Sequence, residues 1–244
     1  MGADTGRSTP AERDSGGITA ALISGTAAYN VAQNLLLPAW SYLPLNAAAT
    51  VGLFRLADRL GLTRDEVGAD RAHLAGGIRI GLLLGAVTLM AIGVAVAIPS
   101  TRSLFKDGRV IGVGIGAALF QALIRIPIGT ALFEEVLFRG VLLGWLRRRT
   151  STGRAIVGSS VLFGLWHLLP AWSTISVYQT GAIRDAGAAA SVGVVVGGVV
   201  ITGMVGAGLA WLRLRTDSLA APVLVHIAAN SASYLAAFAI ARWL

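Results

Sequence analysis

Residues 111–146 read IGVGIGAALFQALIRIPIGTALFEEVLFRGVLLGWL, and within this long apolar run Glu134 and Glu135 stand side by side. The other ten of the chain's twelve acidic residues lie in polar connecting segments. A carboxylate at the centre of a bilayer costs about 2.5–3.5 kcal/mol on insertion scales, so an ionisable residue there points to a functional site. At 1.5 Å per residue the run would extend roughly 54 Å, more than one ordinary crossing requires. Two readings follow. Either one tilted helix projects beyond the membrane, or Pro127 and Gly129 divide the run into two pieces.

Composition supports the membrane reading. The chain is 244 residues long, 55% hydrophobic and 13% charged, with mean hydropathy +0.72 and 31 glycines. Glycine is commoner in membrane helices than in soluble ones, and it lets helices approach closely where hydrophobic collapse no longer drives packing. The expected fold is all-α, a polytopic integral-membrane bundle of seven or eight transmembrane helices. Net charge is +8, but the basic residues cluster at segment ends, where cytoplasmic loops and anionic headgroups place them. No basic stripe with interleaved aromatics is present, which excludes nucleic acid as a partner. The absence of cysteine excludes disulfides, a thiol nucleophile and thiolate metal ligands.

Along the chain, 1–17 is polar and Gly-rich and reads as a disordered tail. Residues 18–110 form an N-terminal group of membrane helices with a polar connector at 55–79, and 111–244 form the core. Candidate spans are 18–37, 44–56, 74–98, 111–146, 155–170, 187–212 and 219–241. Inside the connector, LTRDEVG reads as a capped turn, with Thr63 as cap and Glu66 three residues on. The cluster Arg147, Arg148, Arg149 and Arg154 puts that loop in the cytoplasm, and Arg213 and Arg215 return to the same side two crossings later. Loop 171–186, with only Arg184 and Asp185, lies opposite, and the C-terminus lies outside.

Three segments carry chemistry. In FEEVLFRG, Glu135 and Arg139 are four apart on one helix face, in the favourable order for an ion pair. Glu134 points about one position away and is free to face a cavity. His167 follows Phe163 by four residues at the end of an apolar run. His226 is followed one turn later by Asn230, deep within the last span. Both need a wet cavity or the bundle interior. His73 sits in the polar connector and reads as a solvated or interfacial residue. A Glu and a His can share an attacking water, while a second His and an Asn donate to an oxyanion. Glu134, His167 and His226 are equally a Zn²⁺ ligand set. HExxH, GxSxG and paired intramembrane aspartates are all absent.

EEVLFR, FGLWH and HIAAN, in that order on successive helices, resemble the CPBP family of intramembrane proteases. That family includes the CAAX prenyl endopeptidases of the Rce1 type and bacterial proteins described as bacteriocin-processing or self-immunity factors. Its pattern EExxxR, FxxxH and HxxxN is matched at Glu134–Glu135–Arg139, Phe163–His167 and His226–Asn230. The resemblance covers roughly 111–241. It implies peptide-bond hydrolysis within the membrane: Glu134 and His167 activate water, His226 and Asn230 stabilise the oxyanion, and Glu135, Arg139 and Phe163 support them. The resemblance leaves the metal open.

The implied substrate is a membrane-embedded or membrane-anchored protein or peptide, CAAX-type included. The Ala/Gly/Arg-rich composition suggests a bacterial cytoplasmic membrane. Two other classes compete with the enzyme. One is a catalytically silent scaffold or immunity protein using the same cavity. The other is a small transporter, which the absence of a visible inverted repeat disfavours.

Overall fold

The computed structural model describes residues 10–172 and 187–244, and among these every regular element is helical. The chain divides into two compact units, Met1–Leu37 and Pro38–Leu244. The first contains helix α1 (Pro10–Val31), which runs back into the polar N-terminal segment and ends in a wide turn over Ala32–Leu36. Residues 1–9 of the expected tail lie outside the described residues, as do 173–186 of the loop carrying Arg184 and Asp185.

The second unit holds α2 (Tyr42–Arg59), the short α3 (Arg64–Val67), α4 (Arg71–Ala97), α5 (Ile115–Arg147), α6 (Thr152–Trp172), α7 (Gly187–Thr216) and α8 (Ala220–Trp243). Five helices among the described residues, those containing α4, α5, α6, α7 and α8, are long and apolar enough to cross a membrane. The other two candidates, 18–37 and 44–56, lie in α1 and α2. In α2 the last turns carry Arg55, Asp58 and Arg59, which shortens its apolar length.

The run at 111–146 forms one helix, not two. Pro127 removes one N–H and crowds the preceding turn. The chain widens into π-helical winding over Gln121–Leu132 and again over Val136–Leu142, with right-handed helical dihedrals at the residues that flank each stretch. Wide turns of this kind concentrate at functional sites. From Phe133 to Trp145 every residue of α5 is buried, which marks this half as the centre of the bundle.

Small residues set the two closest helix crossings. Gly77, Gly81 and Gly85 form a buried stripe on α4 facing α8. A Cβ at Gly81 would stand 2.9 Å from Ala221 Cα and 3.0 Å from Leu224 Cβ. On α6, a Cβ at Gly164 would stand 2.6 Å from the Val199 carbonyl and 3.3 Å from Gly203 Cα of α7. Each crossing brings backbone against backbone, the packing that lipid favours.

The polar connector closes one end of the bundle. Thr63 Oγ1 accepts from Glu66 N–H at 3.2 Å and Glu66 Oε2 accepts from Thr63 N–H at 2.7 Å, so the expected capping box forms. Gly68 ends the turn at φ +78°, a conformation natural to glycine. Arg148 donates to Glu66 and to the Gly61 carbonyl, while Arg213 donates to the Asp65 and Glu66 carbonyls. The Glu66 hydrogen bond holds the Arg148 guanidinium above its ordinary pKa. The loops after α2, α5 and α7 therefore meet at one end, where the charge rule places the cytoplasmic arginines. The loop before α5 meets the C-terminal part of α8 at the other: Val110 and Ala118 pack with Ala237 and Phe238.

Candidate active site

The centre is built from α5, α6 and α8, with α7 behind it. On α5, Glu134 is 3% exposed and Glu135 and Arg139 are fully buried. Arg139 Nη1 donates to Glu135 Oε1 at 3.0 Å, the ion pair expected from the i,i+4 spacing. Its other terminal nitrogen donates to the Gly206 carbonyl of α7 at 3.2 Å. The guanidinium also stacks over Phe163 of α6 at 3.9 Å from the ring centroid. Arg139 therefore ties three helices together.

Glu135 does a second job. Its Oε1 also accepts from Nδ1 of His226 at 2.8 Å. A carboxylate can only accept here, so His226 donates through Nδ1 and turns its Nε2 toward Glu134. His167 is arranged in the same way. Its Nδ1 donates to the Phe163 carbonyl at 2.8 Å, leaving Nε2 bare. Phe163 packs edge-on against the His167 ring, with centroids 4.7 Å apart.

Glu134 stands between the two rings. Its Oε2 lies 3.9 Å from His167 Nε2 and 3.8 Å from His226 Nε2, and is buried with no direct hydrogen bond. Its Oε1 accepts from the Trp166 indole N–H at 3.0 Å. Trp166 is itself 8% exposed and packs among Phe133 and Phe138. One oxygen of Glu134 is thus fixed and the other is presented to the histidines.

The structure brings together Glu134, Glu135, Arg139, Phe163, His167 and His226. It does not join Asn230 to them by a hydrogen bond: that side chain is half-buried one turn beyond His226. His73 stays apart, 3.6 Å from Asp65 in the polar connector, as a partly exposed residue. Sequence reasoning missed two contributors. Trp166 carried a signal, since it adjoins His167 at the end of α6. The Gly206 carbonyl carried none, because a backbone acceptor has no residue type.

The ligand set can be tested against Zn²⁺. Two imidazoles and a carboxylate suit the ion, and both Nδ1–H groups are held by acceptors in the manner of metal-bound histidines. The spacing does not suit it. Donors at about 2.0–2.1 Å from a tetrahedral ion stand roughly 3.4 Å apart, whereas Glu134 is 3.8–3.9 Å from each ring nitrogen. Nor do the three donors close to within 4.8 Å of one another, as Asp65, Asp70 and His73 do among the described residues. As placed, they are spread for a water, not for one tetrahedral ion. An apolar cavity of about 280 Å³ lies beside this centre, lined by Leu132, Val136, Leu219 and Val223, with Asp70 on its wall.

Fold and site together define an integral membrane protein with a buried Glu/His centre on three helices. Residues 116–232, which contain every one of these side chains, match the family model described as Type II CAAX prenyl endopeptidase Rce1-like. No curated protein and no solved structure matches the chain.

Proposed function

We propose that this protein is an intramembrane endopeptidase that hydrolyses a peptide bond of a membrane-anchored protein or peptide, CAAX-type substrates included. One observation carries the reading: Glu134 Oε2, His167 Nε2 and His226 Nε2 converge from three helices in a buried site, none of these atoms committed to a structural hydrogen bond. Structural ion pairs have no need of that opening. Glu135 and Arg139 differ in that they bond each other and reach across to His226 and the Gly206 carbonyl, although Glu135 Oε2 and Arg139 Nε also lack hydrogen-bond partners.

In this mechanism a water held between Glu134 Oε2 and His167 Nε2 attacks the scissile carbonyl carbon. Its proton passes to the Glu134 carboxylate as the C–O bond forms. The oxyanion accepts from the Asn230 amide, and from His226 when its Nε2 carries a proton drawn from solvent before the attack, which His226 keeps through the cycle. Collapse of the tetrahedral intermediate breaks the C–N bond, and Glu134 returns its proton to the leaving amine. Trp166 holds Glu134 in the orientation that keeps Oε2 available. No step requires a metal.

We also infer that α1 and α2 cross or enter the membrane with the five longer helices, giving seven, and that the membrane is a bacterial cytoplasmic one. The three-part division into tail, N-terminal helices and catalytic core is part of the same proposal.

Substrate trapping tests the function. The purified Glu134→Gln protein, expressed in its host membrane, should retain uncut peptides that wild type releases as two fragments. If Glu134→Gln and wild type retain the same species, the scaffold reading replaces the enzyme.

A further inference from the structure

Backbone carbonyls of α5 take hydrogen bonds from the helices around it, and they do so in its wide turns. Ala122 accepts from Ser231 of α8, Gly129 from Asn46 of α2 and Phe138 from Ser159 of α6, each at 2.7 Å. The first two lie in the π-wound stretch Gln121–Leu132 and the third in Val136–Leu142. Wide winding runs each carbonyl to the N–H five residues on. For Ala122 that position is Pro127, which has no N–H to give, and Ser231 supplies the donor instead.

Gly129 stands at the turn that matters most for the site. Five residues on from it is Glu134, and four residues on is Phe133. The wide winding stops at Leu132, and Phe133–Glu135 returns to α winding before the helix widens again at Val136. The Gly129 carbonyl therefore lies where one winding gives way to the other. Asn46, only 1% exposed, donates to it through Nδ2. Beside it the Tyr42 hydroxyl and Thr130 Oγ1 share a hydrogen bond at 3.1 Å, so α2 grips two consecutive residues of α5.

A buried carbonyl that loses its donor must find another. The N–H groups within reach of Gly129 are those of Phe133 in α winding and Glu134 in wide winding. Either capture would change the turn that leads into the two glutamates. Neighbouring side chains on a helix stand about 100° apart. A change of one residue in that turn is thus enough to swing Glu134 away from the histidine rings. Beyond Glu135 the bonds to Arg139 and His226 hold the helix, which confines the error to the turn carrying Glu134.

We propose that Asn46 of α2 is a positioning residue: by donating to the Gly129 carbonyl it sets the winding that aims Glu134 at His167 and His226. Its consequence for catalysis rests on the peptidase reading, whereas the aim of Glu134 is a separate structural claim.

The test uses the full protein in phosphatidylcholine nanodiscs, with isotope-labelled tryptophan. The Trp166 indole N–H bonds Glu134 Oε1, so its NMR resonance reports where Glu134 points. Among the chain's six tryptophans it is identified by its absence from Trp166→Phe. Asn46→Leu keeps the volume and removes the donor. It should shift the Trp166 resonance toward the position of an unbonded indole. With a farnesylated fluorescent peptide ending in a CAAX sequence, it should lower kcat on the order of tenfold and leave KM within about twofold. Thr50→Val is the control, because it removes a buried hydrogen bond that stays within α2, from Thr50 Oγ1 to the Asn46 carbonyl. Both readouts should stay at their wild-type values there. An unmoved Trp166 resonance in Asn46→Leu overturns the proposal, as does an equal shift in Thr50→Val. Asn46→Ala is the second variant; if neither it nor Asn46→Leu folds, Asn46 only holds helices together and the proposal falls. A shifted resonance without cleavage by wild type leaves the aiming role standing and removes the hydrolysis; cleavage with an unmoved resonance does the reverse.

Discussion

Helix α5 carries two arginines inside the bundle, and the protein treats them differently. Arg139 lies in the half where every residue is buried, bonded to Glu135 and the Gly206 carbonyl and stacked on Phe163. Arg125 lies in the half-exposed, π-wound part, against an amide and a tyrosine ring, with no acid beside it. The glutamates divide along the same line. Each bonds through one oxygen only: Glu135 Oε1 accepts from both Arg139 and His226, whereas Glu134 Oε1 accepts from Trp166 and its Oε2 faces the two histidine rings. Low dielectric makes an unmatched charge expensive. Charges bonded to one another across helices assemble the site, and the Glu134 oxygen that faces two histidines is the one placed for a reacting group.

The largest effect should come from breaking the bonded set. Removing Arg139 leaves Glu135 buried without its counter-ion, which costs about 3–5 kcal/mol. Arg139→Ala should therefore lower the thermal unfolding midpoint in detergent severely, while Arg125→Gln should leave it within the range of ordinary surface changes, about 0.5 kcal/mol. Similar losses in both would erase the distinction between them.

Next in size is the α6–α7 crossing that backs the bonded set. Gly164→Ala places a methyl 2.6 Å from the Val199 carbonyl, and overpacking of this kind costs about 1–3 kcal/mol. A melting experiment checks it. Gly153→Ala, with nothing near its Cβ, is the control and should not destabilise the fold.

Trp166→Phe sharpens the comparison on the open side. It keeps an aromatic ring beside Phe133 and Phe138 while removing, with part of the indole, the N–H that fixes Glu134 Oε1. The expected result is a fall in kcat on the order of tenfold, about 1.4 kcal/mol, with KM nearly unchanged and a smaller loss of stability than catalysis. An equal loss of stability would make Trp166 a packing residue and nothing more. The smallest expected effect is that of metal removal. Activity should survive exhaustive chelation in a preparation verified as metal-free; loss of activity that Zn²⁺ alone restores would contradict the spacing argument.

Much of the centre was legible in the sequence because its pairs are local. Glu135 with Arg139 and Phe163 with His167 are four residues apart, and helical periodicity alone puts each pair on one face. The capping box at Thr63 and Glu66 was legible for the same reason. What could not be read depends on contacts between helices or on backbone atoms. The pairing of His226 with Glu135 joins positions 91 residues apart. Gly206 contributes only a carbonyl. The choice between one helix and two at Pro127 turned on whether the backbone could widen locally, which residue types do not reveal. Asn230 shares the HxxxN spacing with His226 yet makes no hydrogen bond to the cluster, because spacing along a helix fixes a face and not a partner.

The central claim is that Glu134 is the base, and single-turnover kinetics of purified Glu134→Gln test it most directly. The substitution keeps the side chain's size and its acceptor for Trp166 but removes the carboxylate that takes the proton from water. Binding of a membrane-anchored CAAX peptide should persist within a few-fold, while the cleavage rate falls by at least about 10²–10⁴, the usual contribution of general-base catalysis. Cleavage by a contaminant-free Glu134→Gln protein within tenfold of the wild-type rate would contradict the account.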